Sequence, residues 1–120
     1  MKKRVMVVDD TRIMELQIEE ALKDSDYEVV AYCRNGKEAI ARYGDILPDV
    51  ITMDILMPGM DGLETAQAII EEHPEARVVM VSSLAYDDTI NEAVRIGAKT
   101  FVYKPFERKE LICALDLALR

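Results

Sequence analysis

The side chains with the most chemistry to offer in this sequence are three carboxylates, one hydroxyl and one ammonium, each at or just after a short apolar run. They are Asp9, Asp10, Asp54, Ser82 and Lys104. Three carboxylates in one pocket would repel each other, and at least one would take up a proton unless a cation were bound. Mg²⁺ prefers oxygen ligands and usually binds through one or two carboxylates, and Mn²⁺ could replace it. A carboxylate held between such a cation and Lys104 could attack a phosphoryl group and form an acyl phosphate.

The apolar runs before these residues predict five buried β-strands. The first run, Val5 to Val8, is unbroken and rich in valine, as expected of a strand covered by helices on both faces. From Thr11 onward the apolar residues recur at helical spacing, with Glu15 among the polar positions between them. The predicted strands cover residues 5–8, 27–33, 50–53, 78–81 and 100–103. Because a helical pattern follows each run, we expect an α/β fold with a doubly wound, five-stranded parallel sheet.

Glycine and proline residues indicate where the helices between these strands end. Gly44 followed by Pro48 predicts the end of the second helix, and Gly97 predicts the end of the fourth. In a parallel sheet of this kind, ligands bind outside the carboxyl ends of the strands. The Asp9-Asp10 pair alone would serve equally well as a helix cap. Polar residues suited to phosphoryl chemistry at four strand ends, however, favour a single shared site.

Composition and charge limit the functions of the chain. Its 120 residues predict one domain over residues 1–120. A formal charge of -8 repels phosphate backbones, so we expect no direct binding to nucleic acid. No apolar run approaches the roughly 18 residues of a membrane span, and Asp9 cuts the first run too short for a signal peptide. We therefore expect a cytoplasmic protein with no membrane contact, in which Cys33 and Cys113 are buried, reduced thiols and His73 is solvated.

Four segments, at the ends of the first, third, fourth and fifth predicted strands, resemble the motifs of response-regulator receiver domains, and the stand-alone chemotaxis receivers of CheY type are most similar. They are Val7-Val8-Asp9-Asp10, Asp54-Ile55-Leu56-Met57-Pro58-Gly59-Met60-Asp61-Gly62, Val81-Ser82-Ser83 and Tyr103-Lys104-Pro105-Phe106. The resemblance runs from the first strand to the last helix. It implies a flavodoxin-like fold of five βα units with strand order 2-1-3-4-5. It also implies a two-component signalling role, with a sensor histidine kinase as the phosphoryl donor.

The same resemblance implies a role for each matching residue. Asp54 is the implied phosphoacceptor, and Lys104 is implied to contact the phosphoryl oxygens. The implied Mg²⁺ ligands are Asp9, Asp10, Asp54 and the backbone carbonyl of Leu56, with Asp9 binding through water or assisting. Receiver domains of this kind catalyse only their own phosphorylation and dephosphorylation.

The resemblance further implies the parts of a conformational switch. Ser82 is implied to move toward the phosphoryl group, and Phe101 to follow it inward. In the resembled family, Thr is more usual at the position of Ser82 and Tyr is frequent at the position of Phe101. The side chains of the switch are therefore expected to be less tightly packed. The Lys104-Pro105 peptide is implied to be cis, and Asp61-Gly62 to shape the turn into the third helix.

Two leucines lead to an expectation about the lifetime of the phosphorylated state. Leu56 and Leu84 lie two residues beyond Asp54 and Ser82, at positions that flank the path of the hydrolytic water in the resembled family. Apolar side chains there should order that water poorly, so we expect slow self-dephosphorylation. Replacing Leu56 by Asn and Leu84 by Glu should speed loss of the phosphoryl group, and an unchanged rate would contradict the expectation.

Three alternatives come from other classes of protein. An α/β aspartyl-phosphate hydrolase would typically carry a second Asp two residues after the nucleophile, where this chain has Leu56. A dinucleotide-binding enzyme would need a glycine-rich loop after the first strand, where this chain has Asp9-Asp10-Thr11. A receiver-like module that takes no phosphoryl group would have no use for the retained Asp10, Asp54, Ser82 and Lys104.

The output of the switch is open between two arrangements. The last helical pattern ends near Arg120, which favours a stand-alone chemotaxis-type receiver over one cut from a longer transcription regulator. A downstream protein is expected to bind the surface of the fourth helix, fifth strand and fifth helix. We expect a monomer or a weak, phosphorylation-dependent dimer. Candidates for the binding surface are Asp87, Asp88, Arg95, Lys99, Phe101 and Tyr103.

Overall fold

The structure is a computed structural model and describes residues 1–83 and 86–120. Strands and helices alternate along this part of the chain. The strands are β1 (Lys3–Val8), β2 (Tyr27–Cys33), β3 (Val50–Asp54), β4 (Val78–Ser82) and β5 (Thr100–Tyr103). The helices are α1 (Arg12–Leu22), α2 (Gly36–Ile46), α3 (Gly62–Glu72), α4 (Asp87–Ile96) and α5 (Arg108–Ala118).

The five strands form one parallel sheet in the order β2-β1-β3-β4-β5, as expected from the sequence. The register brings the carboxyl ends of the strands level with each other. Val8 pairs with both Cys33 and Met53, and Ser82 pairs with Tyr103. Residues that follow these positions therefore meet at one edge of the sheet.

Two apolar layers cover the two faces of the sheet. On one face the core includes Met6 and Met80 and reaches the helices α2, α3 and α4. On the other face it includes Val7 and Leu115 and reaches α1 and α5. Successive residues of a strand point to opposite faces, so a strand covered on both sides must be apolar at nearly every position. This explains the unbroken apolar runs in the sequence.

Short polar side chains begin three of the helices. Thr11 accepts the backbone N–H of Met14 at the start of α1. Asn35 begins α2 in the same way. Asp61 and Glu64 form a reciprocal capping box at the start of α3. Each cap satisfies backbone donors that have no partner within the helix, and so helps to define where the chain leaves the carboxyl edge of the sheet.

The predicted end of α2 between Gly44 and Pro48 is confirmed, but Gly44 itself does not end the helix. The helix continues through Gly44 to Ile46 and ends at Leu47, which has a left-handed backbone with φ of 44°. Gly44 lies within the helix, and a Cβ atom added to it would meet no other atom within 4 Å. The position therefore does not require glycine. Pro48 alone stops the helix, because the residue before a proline is disfavoured in helical geometry.

The expectations for the cysteines and the histidine are partly wrong. Cys33 is buried at the end of β2, but Cys113 is exposed on α5. His73 is half-buried, with its ring 4.6 Å from that of Tyr43. Apolar neighbours in sequence placed Cys113 on a helix but did not determine which side of the helix faces the core. Four methionines are buried in the core: Met6, Met14, Met53 and Met80.

Among the helices in residues 1–83 and 86–120, none has both the length and the apolar character needed to cross a membrane.

Candidate functional site

The side chain of Lys104 lies between two buried carboxylates. Its Nζ donates to Asp9 Oδ2 at 3.1 Å and to Asp54 Oδ1 at 3.2 Å. The side chains of Asp9 and Asp54 are 2% and 7% exposed, and that of Lys104 is 19% exposed. The three residues follow or end β1, β3 and β5, so the level strand ends of the parallel sheet bring them together. The structure therefore brings these three predicted site residues together.

Asp10 completes a cluster of three carboxylates. One oxygen from each of Asp9, Asp10 and Asp54 lies within 4.8 Å of the others, and Asp10 is less buried than the other two. Oxygen donors at this spacing suit a hard divalent cation such as Mg²⁺, which accepts one or two carboxylates and keeps water on its open side. The partly exposed Asp10 provides that open side.

The protonation of Asp54 reflects this crowding. Burial first, then the charge of the neighbouring Asp9 and last that of Asp10 together raise the pKa of Asp54 from its ordinary 3.8 to about 6. The Lys104 ammonium opposes these effects through its charge and its hydrogen bond. One lysine therefore compensates only part of the repulsion among three carboxylates. A bound cation would favour the ionised form of Asp54 and would compensate the repulsion that Lys104 leaves.

Asp9 is fixed in position by the residue that begins α1. Its Oδ1 accepts both the backbone N–H and the hydroxyl of Thr11, each at 2.9 Å, while its Oδ2 accepts from Lys104. Both oxygens of Asp9 are therefore occupied. This arrangement supports the expectation that Asp9 assists at the site more than it binds a cation directly.

Gly62 is a residue of the site whose steric role was not predicted. A Cβ atom at this position would lie 1.9 Å from the backbone oxygen of Asp54, and the Gly62 N–H donates to the carbonyl of Ile55 at 2.8 Å. Only glycine permits the start of α3 to pack this closely against the end of β3. The Asp61-Gly62 pair indicated a turn, but no sequence signal shows which backbone atoms the turn approaches.

Of the two predicted switch residues, Ser82 lies at the level of the carboxylate cluster and Phe101 lies deeper in the sheet. Ser82 is buried at the end of β4, one residue beyond Val81, which pairs with Asp54. Its carbonyl accepts the N–H of Lys104 at 2.9 Å, and the Lys104–Pro105 peptide is cis, as expected. Phe101 lies deeper along β5, half-buried against the core on the side of α4. Its ring is 5.1 Å from that of the exposed Tyr103.

The two predicted lifetime residues have different outcomes. The side chain of Leu56 is 57% exposed, just beyond Asp54, and so is open to solvent near the site. Leu84 lies outside the residues that the structure describes.

Glu15 is buried, contrary to its predicted place on the polar face of α1. Its Oε2 lies 3.3 Å from Arg34 Nη2 and 3.5 Å from Arg12 Nη1. The helical pattern could not show this arrangement, because Arg34 reaches Glu15 from the end of β2, a segment 19 residues away.

Comparisons with known proteins point to one family. The family model described as the response regulator receiver domain matches residues 5–116. Chemotaxis protein CheY of Listeria monocytogenes is 40% identical over 98% of this chain and 98% of its own length. Among solved structures, the response regulator domain of Thermotoga maritima CheB matches with a TM-score of 0.91 and 34% identity, over 99% of this chain and 97% of that one.

A second solved structure is a CheX-CheY-BeF3-Mg²⁺ complex from Borrelia burgdorferi. It matches with a TM-score of 0.90 and 30% identity, over 94% of this chain and 86% of that one. The family model and these relatives cover nearly the whole chain, including every segment that carries the acidic cluster, Ser82 and Lys104. The chain therefore belongs to the family of response regulator receiver domains.

Proposed function

We propose that Asp54 takes a phosphoryl group from a sensor histidine kinase and that the modified chain acts as a stand-alone, chemotaxis-type signalling receiver. The observation that carries the proposal is the position of Lys104 Nζ, within 3.2 Å of both Asp9 and Asp54. Lys104 compensates part of the negative charge around Asp54, a buried carboxylate at the carboxyl edge of the sheet. The chain is not a general enzyme in this proposal, because it acts only on its own phosphoryl group.

The carboxylates at the site fit a Mg²⁺ or Mn²⁺ ion. Asp10 and Asp54 would bind it directly, Asp9 through water, and the backbone carbonyl of Leu56 would add a further oxygen. When bound, the ion would offset negative charge on the transferring phosphoryl oxygens. The unbalanced charge of the three carboxylates supports this assignment, as does the Mg²⁺ in the similar Borrelia burgdorferi complex.

The reaction itself uses groups of this chain. An ionised Asp54 oxygen forms a bond to phosphorus while the bond from phosphorus to the donor's leaving group breaks, and the leaving group departs with the electron pair. Lys104 stays protonated and moves from its hydrogen bond with Asp54 toward the phosphoryl oxygens. Because the pKa of Asp54 is about 6 without a cation, the nucleophilic form prevails at neutral pH.

Phosphorylation would then change the surface formed by α4, β5 and α5. Ser82 would donate to the phosphoryl group, and Phe101 would pack inward behind it. Exposed apolar side chains on this surface support its use for binding a downstream protein; they include Val94, Tyr103 and Leu117. The proposal places the single receiver domain, residues 1–120, in the cytoplasm as a monomer or a weak phosphorylation-dependent dimer, without direct binding to nucleic acid or membrane.

Intact-mass measurement after exposure to acetyl phosphate and Mg²⁺ tests the proposal. We expect one phosphoryl adduct on the native chain and none on Asp54→Ala. Asp45→Ala, which removes an exposed carboxylate from α2, is the matched control and should still form the adduct. An adduct that persists in Asp54→Ala would refute the assignment. Rapid multiple turnovers of acetyl phosphate would instead favour the aspartyl-phosphate hydrolase.

The lifetime of the adduct tests the role of Leu56. We expect slow loss of the phosphoryl group after acetyl phosphate is removed, and faster loss in the combined variant Leu56→Asn and Leu84→Glu. The exposed side chain of Leu56 supports this expectation, because a polar side chain there could order a water molecule beside Asp54. Equal decay rates in the two proteins, followed by intact mass, would contradict it.

A further inference from the structure

The buried carboxylate of Glu15 is not explained by the stability of the fold. Glu15 occupies a core-facing position in the first turn of α1, and its side chain is 3% exposed. Its Oε1 is buried and has no hydrogen-bond partner among the residues that the structure describes. A half-satisfied buried carboxylate is costly, and an apolar side chain at this position would avoid the cost. The other oxygen, Oε2, holds two arginines.

Both arginines belong to segments that adjoin the acidic cluster. Arg34 directly follows Cys33, whose carbonyl accepts the N–H of Asp9 at 3.0 Å. Arg12 begins α1, two residues after Asp10. Their side chains remain 51% and 69% exposed, so each guanidinium faces solvent while one of its ends contacts Glu15.

Arg34 also borders the segment that follows the phosphoacceptor. It lines a groove of about 450 Å³ together with Lys37 and with Pro58, Gly59 and Met60. The loop after β2 and the loop after β3 therefore form two sides of one depression at the carboxyl edge of the sheet. Arg34 therefore lies on one side of this depression, and the residues four to six positions after Asp54 lie on the other.

An anionic phosphodonor that approaches this edge meets a chain of charge -8 and a cluster of three carboxylates. A guanidinium is well suited to bind the oxygens of a phosphoryl group, because it presents five N–H donors in a planar fork. We propose that Arg34, positioned by Glu15 and assisted by Arg12, is the first contact of the anionic phosphoryl group of an incoming donor. This inference rests on the proposed phosphoacceptor function of Asp54.

Glu15 and the arginines neither form nor break a bond in this scheme. Glu15 is a positioning residue. Its effect on phosphorylation through the position of Arg34 can be distinguished from the long-range effect of its negative charge. Removing a negative charge near the site should speed reaction with an anionic donor if only long-range electrostatics matters. Loss of positioning should slow the reaction. The sign of the effect of Glu15→Gln therefore separates the two explanations.

The test measures phosphorylation by acetyl phosphate with saturating Mg²⁺ in Arg34→Ala, Glu15→Gln and the double variant. We expect the half-saturating concentration of acetyl phosphate to rise about fivefold in each single variant, with little change in the maximal rate. The double variant should be no worse than Arg34→Ala, because both changes remove the same contact. Arg34→Lys should restore part of the effect, and high salt should reduce it.

Arg77→Ala and Glu28→Gln are the charge-matched controls, since both residues are exposed at the opposite end of the sheet. Both controls should leave the half-saturating concentration of acetyl phosphate unchanged. The affinity for Mg²⁺, titrated by calorimetry, should be the same in all the variants as in the native chain. Faster reaction in Glu15→Gln, additive effects in the double variant, or a native half-saturating concentration in Arg34→Ala would overturn the inference. Absence of any adduct on the native chain would instead refute the proposed function itself.

Discussion

Two regions of the molecule differ in which groups they expose to water. One is the sheet edge at the carboxyl ends of β1 and β3, and the other is the surface formed by α4, β5 and α5. At the first, carboxylates that prefer water are almost fully buried, with Lys104 among them. At the second, Val94 is 68% exposed although water disfavours it. Both arrangements cost stability, and each has a use in the proposed function. Desolvation strengthens the electrostatic effects on which phosphoryl transfer depends, whereas exposed apolar area is what a protein partner can bury.

The comparison predicts that the acidic site tolerates almost no change in backbone spacing. Gly62→Ala should lower the free energy of unfolding by about 3 kcal/mol, because its Cβ would overlap the backbone oxygen of Asp54. Gly44→Ala is the matched control in a helix interior with open space around it, and it should raise stability by about 0.5–1 kcal/mol. Urea denaturation measures both. Equal effects of the two substitutions would show that the close approach at Gly62 is not a constraint.

Removal of the positive charge of Lys104 should have the next largest effect. Lys104→Met keeps much of the side-chain volume but leaves Asp9 and Asp54 without their shared donor. We expect the rate of phosphorylation by acetyl phosphate to fall about 100-fold, since a positioned charge no longer stabilises the transferring oxygens. Lys99→Met, which removes an exposed lysine before β5, should react at the native rate. A native rate in Lys104→Met would remove the lysine from the mechanism.

The pKa of Asp54 predicts a pH-dependent loss of stability. Because the pKa is raised to about 6 in the folded chain, the folded state binds a proton more tightly than the unfolded state. Ionised Asp54 therefore destabilises the fold above pH 6, and this cost disappears as the pH falls through 6 toward 4. In EDTA at pH 8, Asp54→Asn should be more stable than the native chain by about 2 kcal/mol.

Urea denaturation across this pH range measures the difference, which should shrink toward zero near pH 4. Mg²⁺ should stabilise the native chain more than Asp54→Asn, because binding to the folded state adds stability only where the ligands are present. A difference that is constant with pH would show that Asp54 titrates normally.

Changes on the exposed apolar surface should have the smallest effect. Val94→Asp should alter the free energy of unfolding by less than about 0.5 kcal/mol and leave the rate of phosphorylation by acetyl phosphate unchanged. Val81→Asp provides the contrast, because the same chemical change at a buried strand position should prevent stable folding. Strong destabilisation by Val94→Asp would mean that this side chain belongs to the core and is not available to a partner.

Much of the fold could be predicted because parallel strands buried on both faces have a distinct composition. Val5 to Val8 and Val78 to Val81 are apolar at every position, and each run ends at a polar residue that the structure places at the sheet edge. The same rule located the acidic cluster without any knowledge of distances. Gly44 and Pro48 correctly bracketed the end of α2, but Gly44 itself does not end the helix, because glycine permits a left-handed conformation but does not require one.

The sequence by itself determined the order of the elements, the edge of the sheet where the acidic cluster lies, and the residue types that meet there. Only the tertiary structure decided that Glu15 is buried, that Cys113 is exposed, and that Gly62 contacts the backbone of Asp54. The physical reason is the range of the interactions involved. Hydrophobic periodicity is a local property of the chain, whereas the partners of Glu15 and the neighbours of Gly62 are set by how separate βα units pack against each other.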